Sequence, residues 1–136
     1  MKPIDTLAVL EHLLEPLEVS FFFQAPSNLL ERLPALLVEQ SPPSHFSSNI
    51  PNPYLSAKAV ISLNALAPRR TQAMELASQA FSLIHDSVHQ LTDAGWVTRS
   101  TPVTLPHLVA HDYQASPLFQ YSAALELIFR QTPDKE

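Results

Sequence analysis

From Phe119 to Phe129 the chain places an apolar residue at every second position: Phe119, Tyr121, Ala123, Leu125, Leu127 and Phe129. Gln120, Ser122, Glu126 and Arg130 fall between them. Side chains on a strand point alternately to its two faces, so the pattern predicts one strand over Ser116–Gln131 with one face buried and the other largely wet. Such a strand is longer than the usual five or six residues, and a sheet must be built around it. A chain of 136 residues can bury one core in one domain without covalent staples.

The other elements follow from the same periodicities. Ile4 to Leu14 reads as a helix with Leu7, Leu10 and Leu14 on one face, capped by Asp5 or Thr6 and stopped by Pro16. Val19, Phe21 and Phe23 alternate with Ser20 and Gln24 in a short strand, with Phe22 on its opposite face. A connector with one helical turn, capped by Ser27, leads to a second strand over Pro34–Gln40 that Pro42 and Pro43 end. Ser41 to Pro53 is a loop of Ser, Pro and Asn without periodicity. Tyr54 to Ala65 alternates again, with Leu55, Ala57, Ala59, Ile61, Leu63 and Ala65 on one face and Ser56, Lys58, Ser62 and Asn64 on the other.

A long helix comes next. Ala73, Ala77, Ala80, Phe81, Ile84, Val88 and Leu91 form one stripe, and its alanines let a helix lie close on a sheet. Pro68 suits its first turn, and Gly95 suits a left-handed cap after its end. Trp96 to Pro106 is a fourth strand, and a second irregular stretch from His107 precedes the C-terminal one. The order predicts an α+β fold: a mostly antiparallel sheet of about five strands packed by one long helix, with an N-terminal helix.

The chain has one glycine against thirteen prolines, which excludes phosphate-cradling loops, dinucleotide fingerprints and nucleophile elbows. It has no cysteine, hence no disulfide or thiolate metal site. A net charge of -5, with Arg69-Arg70 the sole adjacent basic pair, argues against a phosphate-binding surface. Acidic residues at Asp5, Glu11 and Glu15 interrupt the start, so no signal peptide is expected, and no run of eighteen apolar residues predicts a membrane span. Charged residues are only 15 % of the chain, where about a quarter is usual. Part of the surface is therefore expected to meet other protein.

Candidate chemistry is sparse. His85 and His89 are four apart, with Asp86 beside the first, and can face a metal on one helix side; they also fall off the apolar stripe, where solvation accounts for them. His107 and His111, with Asp112 next door, repeat the spacing in a loop. Glu11 and Glu15 read as a solvated helix face. No enzyme activity, cofactor or metal is expected. Phe46, Ile50 and Tyr54 punctuate the polar loop, either as anchors for a partner or folded back on the chain's own core. Arg69 and Arg70 are either contacts to a neighbour's carboxylates or a solvated helix start, and Asp112 and Tyr113 complete the candidate interface.

The order of "EVSFFFQAP", "LPALLVEQ", "LSAKAVISLNA", "RRTQAMELASQAFSLI", "TPVTLPHL" and "LFQYSAALELIFR" resembles the tail terminator, or tail completion, proteins of long-tailed bacteriophages and prophages. It resembles especially the minor tail proteins of actinobacterial phages. Pro26 follows the first strand as in that family; Gln120 stands where an Arg often precedes the aromatic residue, and "SPPS" replaces glycines after the second strand. The resemblance implies a structural virion protein at the head–tail junction, assembled in the host cytoplasm. It implies a six-membered ring that caps the tail tube, ends its polymerisation and joins the head–tail connector. A neck or connector ring protein, a small His-based metal-dependent domain and a one-partner adaptor are the alternatives. The acidic balance would let DNA pass such a ring without specific binding. Neutralising acidic lumen residues should then slow DNA ejection, and unchanged ejection would remove the idea.

Overall fold

The computed structural model describes residues 4–24, 26–45, 56–109 and 118–132. Helix α1, Thr6–Leu14, starts where the Asp5 carboxylate accepts a hydrogen bond from the Ala8 N–H at 3.1 Å. Its buried face is Thr6, Val9, Leu10, Leu13 and Leu14, continued by Leu17 in a single 3-10 turn over Glu15–Leu17. Leu7, expected on that face, is 40 % exposed. Leu10 and Leu14 are buried as expected, and Val9, Leu13 and Leu17 join them, so the face that packs beside α2 (Arg70–Asp86) is rotated away from Leu7. Pro16 sits in the 3-10 turn and Glu18 takes a left-handed φ of 57°, which ends the helix.

Six strands, β1 (Ser20–Phe22), β2 (Ala35–Gln40), β3 (Ser44–His45), β4 (Ser56–Ala67), β5 (Trp96–Leu108) and β6 (Phe119–Arg130), form one mixed sheet in the order β1-β2-β4-β6-β5, with β3 beside β4. Strand β1 (Ser20–Phe22) runs parallel to β2 (Ala35–Gln40), and the other neighbours are antiparallel. The connector between them holds a 3-10 turn over Leu29–Arg32 that begins at Asn28 without a side-chain cap, rather than at Ser27. The predicted loop after β2 contains a short strand, β3 (Ser44–His45), on the same side of β4 as β2. Gln40 faces Ile61 whereas Ser44 faces Lys58, so four steps on one strand oppose three on the other. This is a bulge at Ser41–Pro43, where two prolines cannot donate to the ladder. Ser41 bridges it: its N–H donates to the Val60 carbonyl, and its Oγ accepts from the Val60 N–H at 2.8 Å.

Strand β4 (Ser56–Ala67) and strand β6 (Phe119–Arg130) pair along all twelve residues. Ser56, expected on the wet face, is 4 % exposed. Between them in sequence come helix α2 (Arg70–Asp86) and strand β5 (Trp96–Leu108). Because β6 is antiparallel to both, β4 and β5 are parallel, and α2 is the crossover that carries the chain past the place β6 fills.

The apolar faces meet in one core. Ile61 and Leu63 of β4, Leu125, Leu127 and Phe129 of β6, and Val97 of β5 are essentially fully buried with Leu10 and Leu14 of α1 and Ile84 of α2. Ala73, Ala77 and Ala80 have no exposed surface, as the close approach of α2 requires. The stripe differs from expectation at its ends. The helix begins at Arg70, after Pro68, and stops at Asp86, so Val88 and Leu91 lie beyond it and Leu91 is 60 % exposed. Leu76, between the predicted positions, is buried.

Gly95 is not the helix cap. Ser87 holds that position, and His89 supplies a left-handed φ of 74°. Gly95, at φ 139°, closes a turn from Thr92 that opens β5. Both α-helices contribute to the single core, packing with one face of the sheet. No helix among the described residues is long and apolar enough to cross a membrane.

Candidate functional site

Of the seven candidate interface residues, Phe46, Ile50, Tyr54, Asp112 and Tyr113 lie outside the described residues. Arg69 is the exposed N-cap of α2 and offers no capping side-chain bond. Arg70, in the first turn, donates from a guanidinium nitrogen to the Tyr121 hydroxyl at 3.0 Å and thereby ties the helix start to β6. Two cations at the positive end of a helix dipole gain nothing from it, so neither is there to stabilise α2 alone. Tyr121, 8 % exposed, finds in Arg70 the partner that a buried phenol needs.

The histidines are held separately. The His85 ring stacks on Phe81 with centroids 5.9 Å apart, and its Nδ1 lies 2.9 Å from Ser100 Oγ. That contact joins the last turn of α2 to β5. It resembles half of a nucleophile–base pair, but the ring's other neighbour is an aromatic face rather than an orienting carboxylate. His89 has left the helix, and its ring tilts against Trp96 at 5.6 Å, so the four-residue spacing to His85 no longer spans one turn of helix. His107 is exposed on β5, where its Nδ1 donates to the Leu105 carbonyl at 2.9 Å. His111 is outside the described residues. Among the described residues no group of three or more His, Asp or Glu is arranged to hold a metal.

Two shallow grooves of about 460 Å³ open to solvent. One runs between Pro16-Leu17 and the Gln79, Leu83 and Asp86 side of α2; the other lies beside Glu11, Glu15 and Phe21. Their linings come mostly from single helix faces, and neither encloses a ligand in the manner of an enzyme site.

The more distinctive surfaces belong to the sheet. On the face opposite α1 and α2, Asn64 Nδ2 donates to the Leu37 carbonyl at 3.3 Å, while its Oδ1 accepts from Ser122 Oγ at 2.7 Å and Gln120 Nε2 at 3.1 Å. Gln120 also donates to Ser122 Oγ at 3.1 Å. This polar seam crosses β2, β4 and β6, and a network satisfied side to side holds strands in one register. Its members were legible as wet-face positions; their convergence required the β4–β6 register.

The second surface is the edge strand β5. Its thirteen residues oppose only the ten from Tyr121 to Arg130, with register shifts at Val97/Arg99, Pro102/Thr104 and Thr104/His107. From Thr101 to Leu108 every residue but Pro106 is exposed, including Val103 at 57 %, Leu105 at 66 % and Leu108 at 47 %. Periodicity foretold the strand, but not that half of it would stand clear of the core. No family model and no curated protein matches the chain.

Proposed function

We propose that this chain is a structural subunit of the tail-terminator kind, which assembles with copies of itself into a ring that caps a phage tail tube, ends its growth and receives the head–tail connector. The observation that carries the reading is a sheet with α1 and α2 on one face, a polar seam on the other and an exposed β5 edge, surfaces that neighbouring molecules can meet. The element order described for the sequence supports it, as does the low charge content. Repetition of one head-to-tail contact around a closing rotation produces a ring. On this reading the face opposite the helices meets a neighbour or the lumen, and the core-facing residues of β6 serve only to hold that surface flat.

Light scattering across a concentration series, with the same samples imaged by negative-stain electron microscopy, tests it. Closed rings near six times the 15.1 kDa chain mass are the expected result. A particle that stays at one chain mass and binds a single partner one-to-one would replace the ring with an adaptor.

A further inference from the structure

Each edge of the sheet has a stretch free of charged residues, and the usable lengths of the two agree. Natural edge strands are commonly guarded by charged side chains, proline or bulges. At one edge, Ser100 to Val109 contains no Asp, Glu, Lys or Arg, and protection comes from Pro102, Pro106 and the bulges. Between the prolines lie three residues, Val103, Thr104 and Leu105. Val103 and Leu105 have no register partner on β6, and they are among the most exposed apolar residues described. At the other edge, Val19 to Leu30 is also free of charged residues. There β1 is three residues long, Ser20–Phe22, and among the described strands only β2 pairs with it.

We infer that the Val103–Leu105 window of one copy pairs with Ser20–Phe22 of the next, continuing the sheet from subunit to subunit. The inference rests on the ring reading and deepens it by naming the two surfaces that meet. A three-residue window admits a three-residue strand, and the flanking prolines lack the N–H groups that would extend the pairing. The exposed Val103 and Leu105 side chains would lie on one face beside Ser20 and Phe22, with Thr104 beside Phe21 on the other, and the paired residues carry no charge to desolvate. Because the two edges are different surfaces of one sheet, the contact is heterologous and propagates in one sense around a ring.

The absence of cysteine makes a direct test clean. Leu105→Cys combined with Ser20→Cys, treated with a short bismaleimide, should give a ladder of covalent dimers, trimers and higher species. Leu105→Cys alone should give none. In a head-to-tail ring, equivalent residues sit a whole sheet apart, about 24 Å for five strand spacings of ~4.8 Å. Covalent dimers from Leu105→Cys alone would mean that β5 pairs with β5, and would overturn the proposal. A double variant that forms rings by light scattering but yields no ladder would overturn it too, leaving the ring reading intact. Wild-type protein that remains monomeric at every concentration, with no ladder from the double variant, would remove both.

Discussion

Leu125→Asp is expected to yield no folded protein at any temperature. Leu125 has no exposed surface and sits at the centre of β6 opposite Ile61, which is equally buried. Losing the leucine forfeits about 2–5 kcal/mol of packing. A carboxylate left there without a partner adds several kcal/mol more, whether it stays charged or is forced to protonate. A domain of this kind has only about 5–15 kcal/mol to lose. Circular dichroism and soluble yield, compared with Glu126→Gln on the adjacent residue of the opposite face, provide the measurement. Soluble, cooperatively melting Leu125→Asp protein would show that this part of β6 does not face the helices.

Gly95→Ala is the second large effect, and its origin is backbone rather than burial of charge. At φ 139° an L side chain is strained, and a Cβ at Gly95 would lie 3.0 Å from the Arg130 carbonyl oxygen. The turn cannot drift away to make room. Thr92 and Gly95 exchange backbone hydrogen bonds, Thr92 Oγ1 donates to the Gly95 carbonyl at 2.6 Å, and Thr132 Oγ1 donates to the Thr92 carbonyl. The expected cost is about 2–3 kcal/mol. For a chain of this size that lowers Tm by on the order of 10 °C. Thermal melts of Gly95→Ala and wild type decide it: a change of only a degree or two would mean that the turn yields more easily than its bonds suggest.

The legible and illegible parts of this fold divide along physical lines. The long strands and α2 were readable because each writes its burial into a local period: two for β4 and β6, 3.6 for the Ala73–Ile84 stripe. The parallel pairing of β1 with β2 is decided by which edges meet in space, and no local pattern records that choice. Leu7 was placed on the buried face because a nine-residue helix carries more than one apolar stripe, and only its tertiary neighbours, α2 foremost, set which edge of the stripe is exposed. β3 hides in a Ser/Pro segment because its pairing depends on a bulge, with one hydroxyl standing in for a carbonyl. Gly95 was recognised as a special position but assigned the wrong task, since the left-handed residue near the helix end is a histidine.

At the candidate site, Arg70 was read as outward-facing from its place at a helix start. Its bond to Tyr121 crosses fifty-one positions of sequence and needed the β6 register to appear. The exposed half of β5 was hidden for the opposite reason. Its residues read as a strand, but the register shifts against β6 and the exposure of Thr101 to Leu105 leave no mark in the sequence.

The Gly95 turn also brings the two ends of the described chain together. Its nearest neighbours are the Arg130 carbonyl and the Ile4 side chain, and the Asp5 N–H donates to the adjacent Ala94 carbonyl at 3.1 Å. Ile4, Asp5 and Arg130 thus lie side by side, so a short linker joining the chain on either side of them, with new ends opened in a surface loop, should preserve the fold. In a closed ring, symmetry would put that meeting point at one radius and one height on every subunit. A probe fused near either end would then trace the same circle, and a permuted probe elsewhere would supply the second coordinate needed to orient each subunit.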